Sequence, residues 1–434
     1  MKTIVFIGTN KSGSSYEAIK ASEALNYYTV LLTDRKSFFD KRLDFAHVHS
    51  MRMCNLNNIN DIRSAIDRID QDRFSICAIV SFIDPHCHTA ALLSREFGLK
   101  SFTETAIEIM LDKTKSRNVL SGTPYSPPYH IASSKDATSD IAIPMPVVLK
   151  APVSSASKDV HMVSNDRQYQ HAFADLRQRY PDSAMLVEKY IPGPQYLVET
   201  LTVNGKVHII AIVEQEIIFS GRFIVTGYQM ITDDDSQFFR QLKAAAQSII
   251  FTHGMHDGPC HLELRHFDNS WKLIEANPRI SGGAMNLLIE TAFGINLAEE
   301  TLKSALGLAP DLKRTHKKEA FLQYIVVPKG GVLTKVTGKN MVRNSPGITH
   351  VYVKPKKGSV LIPPASMGHR YAYVIGTGAS PDEARKHAKS GAAKIKFNLR
   401  PNNIDTRNPT ENASGMNHPH IGMDYFANNI IYES

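Results

Sequence analysis

Residues 260–283 read CHLELRHFDNSWKLIEANPRISGG, from Cys260 to Gly283. HLELRHF alternates apolar and polar side chains, Asp268-Asn269 supplies a turn, and WKLIEAN runs back as a second strand, so the stretch predicts a β-hairpin. Successive side chains on a strand point to opposite faces, which brings Glu263, Glu275 and Asn277 to one side of the sheet. Two carboxylates and an amide oxygen are hard donors of the kind that Mg²⁺ takes when it is shared with a nucleotide's phosphates. Arg279, two residues beyond the amide, carries a guanidinium that can hold a carboxylate or phosphate bidentately. A solvated surface hairpin would use the same residue types, so the weight of this reading depends on the rest of the chain.

At 434 residues the chain is too long for a single core. Its 42% hydrophobic and 21% charged content fits a soluble globular protein, and no apolar run reaches the roughly 20 residues of a membrane span. MKTIVFIGTNKSGSS reads as a first strand and its loop, because it lacks the long apolar region of a signal peptide. Cys54, Cys77, Cys87 and Cys260 form no C-x-x-C pair and no disulfide framework, so a cytoplasmic location is expected. A formal charge of +8 favours acidic ligands such as nucleotides, and no nucleic-acid or membrane-binding module accompanies it.

The N-terminal KTIVFIG, YEAIKASEAL and YYTVLLTD predict a β-α-β start, with FSICAIVSF as a further strand. Gly8 and Gly13 do not have the G-x-G-x-x-G spacing of a dinucleotide fingerprint. His86, Cys87 and His88 are predicted to lie on a helix-entry loop near the cleft, where neighbours point apart, and not to hold a metal. A single helix is expected to carry Asp112, Lys113 and Arg117 and to break at Gly122 and Pro124. PMPVVLKAP is a buried strand with Lys150 near its end. NDRQYQHAFADLRQRYP is a helix, and AMLVEKYIPG and the two halves of YLVETLTVNGKVHIIAIVEQEI are strands, turned at Asn204-Gly205. QFFRQLKAAAQSIIFTHG predicts a helix, and NLLIETAFGINLAEETLKSALGL a helix or helix pair. Residues 315–400 look like a separate unit of strands closed by the helix SPDEARKHAKSGAAKIKF, with its Ser cap, Pro and acids. The Asn/Pro-rich residues beyond 400 are expected to form a flexible tail.

The order of these stations over residues 75–285 resembles the ATP-grasp superfamily. DKTKSR looks like the helix that opens that domain, VVLKAP like the strand whose lysine reaches phosphate, VEKYIPGPQYLVET like the adenine hinge, and the 260–283 hairpin like its metal-binding end. The N-terminal domain and the C-terminal SPDEARKHA unit look like the branch that contains bacterial L-amino acid ligases, the dipeptide-forming enzymes of Bacillus. The resemblance implies an α/β and α+β fold in which an ATP-grasp fold follows an N-terminal Rossmann-like α/β domain and precedes a C-terminal α/β unit. Boundaries are expected at 1–108, 109–190 (small lobe), 191–308 (central lobe), 309–400 and 401–434 (tail). Lys113 and Lys150 are then expected at the α- and β-phosphates as point charges. Adenine would meet the Lys189 carbonyl and the Ile191 amide, with Glu188 or Glu199 at the ribose or the adenine amine. Glu263, Glu275 and Asn277 would ligate Mg²⁺, two ions being expected and Mn²⁺ an alternative. Arg279 would steady the transferring group, and the amides of Gly282 and Gly283 would hold a substrate carboxylate. The loop Ser154-Ser155-Ala156-Ser157-Lys158-Asp159 departs from the glycine-rich phosphate flap of many members.

The activity implied is ATP-dependent joining of two L-amino acids, with small-molecule substrates and a homodimer expected. A biotin- or purine-type carboxylase and a non-catalytic nucleotide-binding protein are the alternatives; no biotin-accepting A-M-K-M segment is present. Asp233-Asp234-Asp235 read as a solvated acidic turn capping the next helix, or as a lid favouring a cationic first amino acid. Glu214 and Glu216 are alternative partners for a substrate amine.

Overall fold

A computed structural model describes residues 1–71, 74–133, 143–153, 159–219 and 223–401. The N-terminal unit has a parallel sheet of β1 (Lys2–Ile7), β2 (Tyr28–Thr33), β3 (Ser50–Met53) and β4 (Ser75–Val80) in the order β3-β2-β1-β4. Its strands are apolar on both faces because helices cover both. These helices are α1 (Ser14–Ala24), the short α2 (Lys36–Phe39), α3 (Ile59–Gln71) and α4 (Asp84–Glu96). In α3, Ile62, Ile66 and Ile69 repeat at helical spacing and are fully buried against Val5, Ile7, Val30 and Leu32.

Two short helices lead out of this unit, α5 (Glu104–Leu111) and α6 (Lys113–Val119). The single helix expected here is corrected. Asp112 is extended, and its carboxylate accepts from the amides of Thr114 at 2.8 Å and Lys115 at 3.1 Å, capping a new helix. The break puts Lys113 at the first position of α6.

The small lobe is an antiparallel sheet of β5 (Tyr129–Ala132), β6 (Val147–Lys150), β7 (Val160–Val163) and β8 (Met185–Lys189), ordered β5-β8-β6-β7 and backed by α7 (Asp166–Arg179). The flap residues 154–158 lie outside the described residues, as do those from 402 onward where the tail was expected.

The central lobe contributes β9 (Gln195–Val203), β10 (Lys206–Phe219), β11 (Phe223–Ile231), α8 (Gln237–Thr252), β12 (Gly258–Phe267), β13 (Ser270–Asn277), α9 (Met285–Phe293) and α10 (Leu297–Ala305). Both predicted turns form, with positive φ at Asn204 (49°) and Gly205 (77°), and at Asp268 (50°) and Asn269 (53°). That geometry matches the right-handed twist of the strands it joins. Alternation along β9 splits the core. Leu197 and Leu201 face α9 and α10, while Val198 packs with Leu262 and Leu264 under α8.

The C-terminal residues form β14 (Glu319–Ile325), β15 (Gly331–Thr337), α11 (Lys339–Arg343), β16 (Ile348–Val353), β17 (Val360–Leu361), β18 (Ala372–Gly378), α12 (Pro381–Lys394) and β19 (Lys396–Arg400). Three of their strands join the central sheet rather than forming one of their own. β14 pairs with β11, so β14, β18 and β16 extend the central sheet to eight strands, in the order β13-β12-β9-β10-β11-β14-β18-β16. Only β17-β15-β19 make a small sheet of their own. The edge of β11 would otherwise expose unpaired backbone groups, and β14 covers it. Among the described residues no helix is long and apolar enough to cross a membrane.

Candidate active site

A cleft lies between the small lobe and the central sheet, lined by Lys113, Lys150, Glu188, Ile191, Glu263 and Glu275 among others. Each side chain arrives from a different element: α6, β6, β8, the chain after β8, β12 and β13. Glu263 and Glu275 are directly paired across the hairpin, so both carboxylates stand on one face, with Asn277 two pairs further along opposite His261. Lys113 reaches this pair, its Nζ lying 3.2 Å from Glu275 Oε1. Burial, and then the Glu275 charge opposite, push the Glu263 carboxyl well above the usual carboxylate range. Among the described residues no group of three or more His, Cys, Asp or Glu side chains could hold a metal alone. Two facing carboxylates and an amide therefore fit a cation whose remaining ligands come from a substrate's phosphates.

Lys150 and Glu188 are both almost fully buried. Glu188 lines the cleft, but both its oxygens are occupied, Oε1 by Arg117 Nε and Oε2 by Lys150 Nζ. Burial pushes its carboxyl up, yet the charges of Arg117 and Lys150 outweigh that and hold it below the ordinary value. Arg117 also donates to the Leu273 and Ile274 carbonyls at 2.7 and 3.0 Å, and Lys150 to that of Ile274 at 3.3 Å. Glu188 thus aims the lysine at the cleft. Glu199 does not line the cleft, and its expected place at a ribose is corrected. It is fully buried in mid-strand on β9 opposite His261, and it accepts from the Ser281 amide at 3.2 Å. Burial pushes its carboxyl up to about 7.

The hinge after β8 is held by its backbone. The Lys189 amide donates to Pro128 O at 2.9 Å and the Tyr190 amide to Pro146 O at 3.1 Å. The Ile191 carbonyl accepts from Arg265 Nη1 at 2.6 Å. From there a buried chain runs to the carboxylate pair. Arg265 Nε donates to Gln195 Oε1 at 3.0 Å, and Gln195 Nε2 donates to Glu263 Oε2 at 2.6 Å and to Gln215 Oε1 at 2.8 Å. Sequence reading missed Arg265 and Gln195, although the alternation of β12 already puts Arg265 on the face of Glu263.

The loop after β13 is fastened from three sides. Arg279 makes a bidentate pair with Asp84 at the start of α4, Nη2 to Oδ2 at 2.6 Å and Nε to Oδ1, and its Nη1 donates to Ile280 O at 3.1 Å. Burial pushes Asp84 up, and the Arg279 charge and hydrogen bonds more than offset it, for a net lowering. His261, pushed down to about 4 by burial and then by the Arg279 charge, is neutral and donates from Nδ1 to Arg279 O at 3.1 Å. Ser14 Oγ donates to Ser281 O, and the Ala284 amide to the Tyr324 hydroxyl at 3.3 Å. Gly13 and Gly283 meet back to back. A Cβ on Gly13 would stand 2.9 Å from Gly283 O, and the φ of Gly283 is +66°, so neither position accepts a side chain cheaply. Gly282 faces open space.

His86, Cys87 and His88 are not on a loop, as expected, but in the first turn of α4. Cys87 is buried, its thiol pushed up to about 12, and His88 faces Glu104 at 3.6 Å. Asp234 is buried between Lys243 at 3.1 Å and Arg314 at 3.0 Å, so it braces the fold and is neither solvated nor a lid residue. Glu216 pairs with Arg385 and with Lys389, the latter at 2.9 Å, while Glu214 is half-buried and pushed up by that burial.

Residues 143–286 match the model of the ATP-grasp domain, and residues 323–400 that of L-amino acid ligase C-terminal domain 2. The chain is 23% identical over 422 residues to the uncharacterized protein y4rH of Sinorhizobium fredii, covering 92% of this chain and 84% of that protein. It is 24% identical over 229 residues to an L-arginine-specific L-amino acid ligase of Bacillus subtilis, covering 50% of this chain and 54% of the ligase. The crystal structure of an L-amino acid ligase from Bacillus licheniformis superposes with a TM-score of 0.79 at 18% identity, over 92% of this chain and 99% of that one.

Proposed function

We propose that this chain, which carries matches to the ATP-grasp domain and to L-amino acid ligase C-terminal domain 2, is a ligase that joins two L-amino acids into a dipeptide through an acyl phosphate, releasing ADP and phosphate. The observation that carries the reading is the convergence of Lys113, Lys150 and the Glu263–Glu275 pair on one cleft, next to a loop held by Arg279.

Lys113 and Lys150 hold the α- and β-phosphates of ATP, and the backbone from Lys189 to Ile191 takes adenine. Glu263, Glu275 and Asn277 would hold Mg²⁺, which supplies charge neutralisation for phosphoryl transfer. A carboxylate oxygen of the first amino acid attacks the γ-phosphorus as the bond to the β-phosphate oxygen breaks. Arg279, kept rigid by Asp84, stabilises the charge that develops there. The amine of the second amino acid then attacks the acyl carbon, loses a proton, and phosphate leaves. The amides of Gly282 and Gly283 are free of side chains and can approach a substrate carboxylate closely.

Purified protein supplied with ATP, Mg²⁺ and pairs drawn from the twenty amino acids is expected to release phosphate and form a dipeptide visible by mass spectrometry. Glu275→Ala abolishes both. Turnover that follows bicarbonate and ignores amino acids would overturn the reading. So would nucleotide binding with no amino acid-dependent phosphate release.

A further inference from the structure

An amino acid that attacks through its amine carries an α-carboxylate that takes no part in the reaction and stays ionised at neutral pH. Three cations in and beside the cleft face acids: Lys113 faces Glu275, Lys150 faces Glu188, and Arg279 faces Asp84. Arg370 is different. It leaves the turn at 367–369 just before β18, and Met367 of that turn lines the nucleotide cleft. Its Nε donates to Met367 O at 3.1 Å, and its guanidinium lies 3.8 Å from the centroid of the Tyr324 ring and meets the Tyr228 hydroxyl. None of these neighbours is an anion. Its Nη1 is buried with no hydrogen-bond partner among the described residues.

A guanidinium nitrogen shut away from water with nothing to donate to is costly unless a ligand completes it. The space beside it is the substrate loop. Arg370 Nη2 lies 3.7 Å, and the Tyr324 hydroxyl 2.6 Å, from where a Cβ on Gly283 would stand. The same loop carries Arg279 four residues earlier. One cation therefore serves the reacting group, and a second, unpaired one stands at the far end of the loop.

We propose that Arg370 binds the α-carboxylate of the amine substrate, with the Gly283 backbone beside it. This assignment rests on the ligase reading above and names the chemistry that recognises its second substrate. A planar fork with a free nitrogen suits a carboxylate. The tyrosines around it leave no competing acid among its contacts.

The test offers the second substrate in two forms, as the free amino acid and as its α-amide, with saturating ATP, Mg²⁺ and first amino acid. A charge-assisted hydrogen bond corresponds to roughly 10- to 100-fold in affinity, so the full-length protein should prefer the free acid by about that factor in kcat/KM. Arg370→Met should raise KM for the free acid by the same factor and leave the amide unchanged, which erases the preference. Arg370→Lys, which keeps the charge, should retain part of it. ADP affinity and the thermal midpoint of each variant report whether the fold survives. If Arg370→Met does not fold, the acid-to-amide ratio of Arg370→Lys decides alone, and a ratio equal to that of the unaltered protein overturns the assignment. Equal losses for acid and amide, or no acid preference in the unaltered protein, also overturn it and leave Arg370 a packing residue on Tyr324. No phosphate release with any amino acid pair would instead overturn the ligase reading, and this assignment with it.

Discussion

At the scale of single residues, the site is a set of charges that hold one another in place. Arg279 is held by Asp84 on one edge, so its orientation is set before any substrate arrives. Arg279→Ala should cost about 100-fold in turnover, the scale of losing one preorganised charge-stabilising donor. ADP affinity measured by calorimetry should hardly change, because the proposed reading gives adenine and the α- and β-phosphates to the hinge, Lys113 and Lys150. Turnover equal to that of the unaltered protein would make the guanidinium a structural tether only. Glu188 offers a contrasting case. It is the shared counter-ion of Arg117 and Lys150, both nearly fully buried. Glu188→Leu leaves two buried cations uncompensated, and a loss of about 3–5 kcal/mol in urea unfolding is expected. An unfolding midpoint that does not move would show that water or a rearranged acid replaces the carboxylate.

At the scale of elements, the cleft depends on α6 being a helix of its own, capped by Asp112 and pinned to α8. Ser116 Oγ donates to His253 Nε2 at 2.8 Å, and His253 Nδ1 donates to Ile249 O at 2.8 Å, which requires a neutral ring. Burial pushes His253 down to about 4 from an ordinary value of 6.5. The folded state therefore refuses a proton that the unfolded chain accepts below pH 6.5. Stability should fall as pH drops from 6.5 to 4 and level off below, by about 3 kcal/mol in all for this group. Denaturant unfolding at pH 7 and pH 4.5 measures the slope, and His253→Gln should flatten it by that amount. An unchanged slope in the variant would place the proton elsewhere.

At the scale of the whole molecule, three parts of the chain close on the loop at 279–284: Asp84 and Ser14 from the N-terminal unit, Glu199 and His261 from the central sheet, and Tyr324 from the C-terminal strands. Gly13 packs directly on the backbone of this loop. Gly13→Ala would set a Cβ against the Gly283 backbone at 2.9 Å, in a conformation with φ of +82° that side chains rarely adopt. The loop must then shift, and a displacement near 1 Å costs about 100-fold in rate. ADP binding should persist, because the nearest atoms to that Cβ belong to Gly283, which is not among the residues lining the cleft. Loss of both activity and ADP affinity would mean that the N-terminal unit supports the whole cleft.

Much of this was legible in the chain itself. The period of two in HLELRHF and the Asp268-Asn269 turn determined the hairpin, but unbroken alternation from that turn would set Ile274 opposite Glu263, and the register shift beside Glu263 is what pairs Glu275 with it. Asn204-Gly205 and the β-α-β start were likewise local. What tertiary structure decided is what depends on contacts distant in sequence. Asp84 and Arg279 are 195 residues apart, and no periodicity links them. Glu199 looked as suitable for a ribose as Glu188, and only the pairing of β9 with β12 buried it away from the cleft. The C-terminal strands carried the pattern of a separate unit, since alternation reports that a strand has a buried face but not which sheet it joins. Pairing of β14 with β11 settled that, and with it brought Tyr324 and Arg370 to the loop at Gly283.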